Sequence, residues 1–309
     1  MVFGILYVLS LMPWFLWYGI SHLGYWVLKY GIKYRHHVIR DNIEQCFPEK
    51  SKEEHDKIID GFYRHFCDLW VETIKGLSMS RSEVEKRVII RNPEVWQELV
   101  DLKKGALLLA GHYANFELFG SRMDILSDGV KAGYCVYTPP KSHILDQLII
   151  YSRARYNHRA THQRMIPRRK YVRKIHTFKE EPIFVVILGD QSPHKNQRAY
   201  YSQFLGRETA FFTSSARYAV EFGFELFFAE VEKVKRGYYA INFHKIPVKP
   251  SSSRRIETIH ELTDTQIGFY ERMIRKEPSY WLWSHKRWKR ERTPKDTISP
   301  TLEANSMGI

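Results

Sequence analysis

The chain has 309 residues, with 48 Lys and Arg against 34 Asp and Glu, a formal charge of +14 and a pI near 9.5. With 44% hydrophobic and 15% aromatic residues and only 17 Gly and 13 Pro, a disordered or collagen-like chain is excluded, and the length permits a large buried core. Cys46, Cys67 and Cys135 lie far apart with no CxxC pair, which excludes a disulfide framework and fits a reducing compartment.

In chain order, Met1 to Leu28 contains no Lys, Arg, Asp or Glu and is dense in Leu, Ile, Val, Phe, Trp and Tyr. A spanning helix needs roughly 20 predominantly apolar residues, so residues 1–30 are expected to form a membrane-anchor helix. Ser10, Pro13, Ser21 and His22 interrupt the run and leave a kinked or interfacial anchor as the other arrangement. No positive n-region precedes it and no small-residue cleavage site follows, so a cleaved signal peptide fits poorly. Lys29, Lys33, Arg35 and Arg40 come next, which places the rest of the chain on the cytoplasmic side.

From Tyr34 to Gly76 the spacing of Ile58, Ile59, Phe62, Phe66, Leu69, Trp70 and Ile74 predicts helix, divided into two at Pro48. Alternation follows. Ala106–Ala110, Ala132–Tyr137 and Ile183–Leu188 are short apolar runs expected of buried strands, with helices over 115–127, 143–156 and 168–179. Further on, a helix is expected over Ser214–Phe222, strands over Leu226–Val231 and Tyr238–Ile246, and a long helix over Arg255–Arg275. The fold class is therefore α/β, a three-layer sheet with flanking helices, plus the N-terminal anchor. Domain organisation reads as an anchor over 1–30, one catalytic-sized domain over 31–295 and a flexible polar tail over 296–309.

The charge is concentrated. Residues 141–180 carry Lys141, Arg153, Arg155, Arg159, Arg164, Arg168, Arg169, Lys170, Arg173, Lys174 and Lys179 against Asp146 and Glu180. Residues 285–295 carry Lys286, Arg287, Lys289, Arg290, Arg292 and Lys295 against Glu291. Such patches attract anionic partners. No zinc-finger or RNP motif accompanies them, so nucleic acid is not an expected partner.

Two strand ends carry candidate chemistry. In GALLLAGHYANFE, His112 follows the Ala106–Ala110 run and Glu117 stands five positions on. The same His-to-acid spacing occurs at His36/Asp41, His55/Asp60 and His176/Glu181, so context separates them. Five positions on one continuous helix lie about 140° apart, and the two side chains converge only if His112 precedes the helix. A carboxylate on one imidazole nitrogen would support general-base action by the other. In ILGDQSPHK, Asp190 and Gln191 end the Ile183–Leu188 run, either in the same crevice or in an ordinary Asx turn. Arg153 and Arg155, two apart, would diverge by about 200° on a helix, so one of them faces the crevice. In PSYWLWSHKRWKRER, Trp281, Trp283 and Trp288 interleave with basic residues, as at a lipid or nucleic-acid interface or in a core cluster beside a basic tail.

The apolar N-terminus, RDNIEQCFPEKSKEEHDKI, GHYANFE, SRARYN, GDQSP and PSYWLWSHKRWK, in this order, resemble the late lipid A biosynthesis acyltransferases, which are similar to lysophospholipid acyltransferases. The resemblance implies that His112 deprotonates an acceptor hydroxyl with Glu117 as its supporting carboxylate. It makes Arg153 or Arg155 a ligand of phosphate or oxyanion, and puts Asp190 and Gln191 among the substrate-binding residues. It also implies an acyl-carrier-protein donor, a hydroxyacylated, phosphorylated glucosamine disaccharide acceptor, no metal or other cofactor, and a bacterial inner membrane with the catalytic domain on its cytoplasmic face. TPPKSHILDQ is only loosely like the family's Asn-Pro segment, so an amino-lipid or lyso-phospholipid acceptor stays open. A non-enzymatic, membrane-anchored anion binder is the reading from a different class.

Overall fold

Helix α1 (Val2–Ser10) and helix α2 (Trp14–Trp26), which runs on through a π-helical turn at Val27–Gly31, replace the single expected anchor helix. The structure is a computed structural model and describes residues 2–128, 132–157, 164–179, 181–195, 197–248, 255–300 and 302. Among these no single helix is long and apolar enough to cross a membrane, and the two N-terminal helices are bent by 116° at their break. Pro13 causes the break, since it offers no N–H and its ring clashes with a preceding helical turn. The last carbonyl of α1, on Ser10, accepts from Lys75 Nζ and Ser78 Oγ, each at 2.8 Å.

Helices α3 (His36–Cys46) and α4 (Lys52–Gly76) flank Pro48 as expected. Helix α4 starts at a capping box in which Ser51 Oγ accepts from the Glu54 amide and Glu54 Oε2 accepts from the Ser51 amide. The chain continues through α5 (Arg81–Arg87), β1 (Val88–Ile90), α6 (Pro93–Asp101), β2 (Ala106–Ala110), α7 (Phe116–Leu126), β3 (Ala132–Tyr137), α8 (His143–Ala154), β4 (Met165–Pro167), α9 (Arg168–Thr177) and β5 (Ile183–Leu188). A hairpin of β6 (Tyr200–Phe204) and β7 (Arg207–Phe211) follows, then α10 (Ser214–Phe222), β8 (Glu225–Lys235), β9 (Tyr238–Ile246), α11 (Arg255–Lys276) and β10 (Thr297–Ile298).

The main sheet has the order β1-β9-β8-β2-β5-β3-β4, parallel throughout except for the antiparallel β8–β9 pair. Every residue of β2 is buried, so helices cover both faces of the central strands, as the apolar run predicts. The register positions the site: Ala110, the last residue of β2, pairs with Leu188, the last of β5, and the Gly189 amide donates to Ala110 O at 3.1 Å. The loops after the two strands therefore leave the sheet side by side.

The expected tail needs correction at its start. Thr297 and Ile298 pair in parallel with Tyr200 and Tyr201, and Leu302 is buried. Asp296 anchors this stretch by accepting from the Ala199 and Thr293 amides and from Arg290. Residues 303–309 lie outside the described residues.

Candidate active site

His112 stands two residues beyond the end of β2 and Asp190 two beyond the end of β5, so adjacent parallel strands deliver both to one point. His112 Nδ1 lies 2.7 Å from Asp190 Oδ1, and the His112 amide donates to Asp190 Oδ2 at 2.8 Å. The indole N–H of Trp281 donates to the same Oδ2, also at 2.8 Å. Asp190 is only 1% exposed. Burial alone would push its carboxyl up, but the His112 charge and the bonds from His112 and Trp281 outweigh it and hold the group at about 2. An ionised carboxylate at Nδ1 makes that nitrogen the donor, so in the neutral imidazole it is Nε2 that carries the lone pair. The Gln191 amide nitrogen sits 3.2 Å from Nε2 and donates to it.

The backbone between β2 and α7 is held from behind. Tyr113 and Trp281 form an antiparallel bridge, and the Leu282 amide donates to His112 O. Ala114 adopts the left-handed region at φ 49°, its amide donating to Tyr280 O. His65 Nε2 bonds Ala114 O at 3.0 Å. Burial and the nearby Lys233 push the His65 imidazole down to about 3, which makes it a neutral donor to that carbonyl. Asn115 caps α7 through the Leu118 amide and donates to the buried Glu72, which also accepts from Tyr239 OH. Gly189 has no room for a side chain, because a Cβ there would lie 2.6 Å from the Tyr270 hydroxyl.

Glu117, expected against His112, is placed elsewhere. Its two oxygens accept from Arg153 Nε and Nη2, both at 2.7 Å, in a bidentate pair between α7 and α8. Burial works against the Arg153 charge, and Glu117 more than restores it, so the guanidinium is pushed up. Gly120, one turn on from Glu117, makes space for the Arg153 stem, which a Cβ would approach to 2.9 Å.

Arg155 points away from the cavity. It donates to Gly76 O and Leu77 O at 2.7 Å and also to Met79 O, holding the carbonyls at the C-terminal end of α4. His112, Glu117, Arg153 and Gln191 line one cavity of about 540 Å³, with Val136, Ile149, Val172, Leu188, Phe212 and Ile267 among its apolar walls. Arg168 and Arg169, in the first turn of α9, line it too.

Much of the basic excess is internal. Arg164 pairs with Asp124, and Arg290 with Asp296. Arg287 is 1% exposed and donates to Ala210 O at 2.6 Å; burial pushes its guanidinium down to about 9, partly opposed by Asp190. Arg159 lies outside the described residues. Trp281 and Trp283 are core residues, while Trp288 stacks on Arg207. Asn42 donates to Trp283 O and His285 O, so the RDNIEQCF motif braces the segment that delivers Trp281. Trp281 is the site residue sequence reasoning did not single out for Asp190. Among the described residues no group of three or more His, Cys, Asp or Glu side chains could hold a metal ion.

The family described as bacterial lipid A biosynthesis acyltransferase matches residues 1–290. The lipid A biosynthesis palmitoleoyltransferase of Escherichia coli (strain K12) is 24% identical over 161 residues, covering 47% of this chain and 51% of that protein. The lipid A biosynthesis acyltransferase of Shigella flexneri matches to the same extent. The chain thus spans about half the length of the curated relatives it matches. With nearly the whole chain covered by the family's sequence pattern, it belongs to the bacterial lipid A biosynthesis acyltransferase family.

Proposed function

We propose that this chain moves a fatty acyl group from an acyl-carrier-protein thioester to a hydroxyl of a phosphorylated lipid A precursor, at the cytoplasmic face of a bacterial inner membrane. The observation that carries the reading is the His112–Asp190 pair on the wall of an apolar cavity, with Nε2 as the proton acceptor. The acceptor hydroxyl oxygen attacks the thioester carbon while its proton passes to Nε2. A C–O bond forms, the C–S bond breaks, and the thiolate takes the proton back from Nε2. Asp190 fixes the tautomer and supports the imidazolium in between.

Gln191 must release Nε2 when the hydroxyl arrives, and its freed N–H is then beside the reacting carbon as an oxyanion donor. Glu117 positions Arg153 on the cavity wall, where a fixed cation favours the same developing charge. Arg168 and Arg169 suit the phosphate of the acceptor or of the carrier's prosthetic arm. Arg155 has no part in this scheme.

The test is mass spectrometry of the purified protein's products with acyl-carrier-protein thioester and a phosphorylated, hydroxyacylated glucosamine disaccharide. The acceptor should gain the mass of one acyl chain as one thiol is released. Transfer only to a lyso-phospholipid or amino-lipid supplied in parallel would move the acceptor assignment, and transfer to none of them would overturn the reading.

A further inference from the structure

Thirteen of the twenty large apolar side chains that stand exposed in the described structure lie between Ile5 and Ile32. On α2 and its π-turn they form one face, with Phe15 72% and Leu23 65% exposed beside Leu16, Ile20, Val27 and Tyr30. The opposite face is a stripe at positions 14, 18, 21, 25 and 29 that bonds acids of α4 and α5. Trp14 Nε1 donates to Glu83 at 2.8 Å, Tyr18 OH to Glu72 at 3.3 Å and Ser21 Oγ to Asp68 at 2.6 Å. Tyr25 OH and Lys29 Nζ both donate to Asp60.

At 1.5 Å per residue, residues 14–31 reach roughly 27 Å, close to the thickness of the hydrocarbon core, so length alone permits a span. The partners forbid it. A helix docked along α4 and α5 would carry Asp60, Asp68, Glu72 and Glu83 into hydrocarbon with it, at about 2.5–3.5 kcal/mol for each charge left there. The 116° bend at Pro13 turns α1 back onto the body, where Lys75 and Ser78 hold the Ser10 carbonyl.

We propose that α1 and α2 lie in the plane of the membrane with their apolar face in one leaflet, so that both ends of this segment stay on the side of the catalytic body. The inference rests on the proposed membrane association and adds its geometry. Arg64 and Arg236 line a hollow beside Ser21 and Tyr25, at the edge of the apolar face, where a headgroup layer would lie. The Phe3 ring meets Tyr151 of α8 edge-on at 5.1 Å. Helix α8 also carries exposed Ile144 and Leu145, and its Ile149 and Arg153 line the cavity. Helix α8 thus touches the apolar N-terminal segment and also walls the cavity.

Two measurements decide it. A protease-cleavable tag is fused ahead of Met1 in a protein carrying Lys289→Cys as a marker of the body's side, in right-side-out and inverted membrane vesicles. Cleavage in the preparation where an impermeant maleimide labels Cys at 289 supports the in-plane arrangement; cleavage only in the opposite one overturns it while leaving membrane association standing. In the second, Phe15→Glu with Leu23→Glu should lower co-sedimentation with phosphatidylethanolamine–phosphatidylglycerol vesicles at least tenfold with an unchanged melting curve. Unchanged sedimentation of the double variant overturns the apolar-face assignment, and a wild-type protein that does not sediment overturns membrane association itself.

Discussion

Two side-chain pairs, each built on a carboxylate, meet at the same cavity, and they are built differently. Asp190 meets His112 across the ends of neighbouring parallel strands, with a third bond from Trp281 holding the carboxylate. Glu117 meets Arg153 across two helices, with both oxygens and two guanidinium nitrogens engaged. One pair contains an imidazole, the side chain suited to general-base work, and the other contains a guanidinium, a fixed cation. In the proposed mechanism proton transfer belongs to the strand-end pair and fixed electrostatics to the helical one, although sequence spacing alone joins His112 to Glu117.

The largest effect belongs to the strand-end pair. Replacing His112 by Ala should lower the transfer rate on the order of 10³-fold or more, with circular dichroism unchanged; a near-normal rate would remove His112 from the chemistry. The helical pair should respond first in stability. Arg153→Ala leaves Glu117 buried without its cation and should cost about 3–5 kcal/mol in denaturant unfolding. Arg153→Lys retains the charge but not the fork, and should lower transfer roughly tenfold, about 1.4 kcal/mol.

Arg155→Ala sharpens the contrast, because among the described residues its guanidinium donates to carbonyls near the end of α4 and to the Tyr156 hydroxyl. It should cost about 1–3 kcal/mol of stability and leave the transfer rate of the folded protein unchanged. A rate loss as large as that of Arg153→Lys would return Arg155 to the cavity. A further effect lies at acid pH. Asp190 is held at about 2 against an ordinary 3.8, so its contribution is present above pH 3.8 and disappears as pH falls from there to about 2. That contribution, roughly 2 kcal/mol, should be missing from the acid limb of Asp190→Asn in urea titrations.

The elements that carry the site were legible in the sequence. Ala106–Ala110 and Ile183–Leu188 are continuous apolar runs, and both are buried parallel strands. What the runs do not encode is which strands lie side by side: β5 is inserted between β2 and β3, and that neighbourhood is what brings Asp190 to His112. The Glu117–Arg153 pair depends on α7 packing on α8, a contact 36 residues apart that no local spacing reports. The β6–β7 hairpin escaped because YYSQF and RETAF mix polar and apolar residues, although Leu205 and Gly206, both at positive φ, mark its turn. Net charge misled most, since Arg153, Arg155, Arg164, Arg287 and Arg290 spend their donors inside the protein.

The most direct test of which carboxylate serves the base is a side-by-side measurement of single-turnover acyl transfer in Asp190→Asn and Glu117→Gln, each verified as folded. Asp190→Asn should fall by on the order of 10²–10⁴-fold, because an amide at Nδ1 neither fixes the tautomer nor supports the imidazolium. Glu117→Gln should retain a larger share of the rate, since its loss weakens only the hold on Arg153. A silent Asp190→Asn beside an inactive Glu117→Gln would contradict the account and give the base to the other carboxylate.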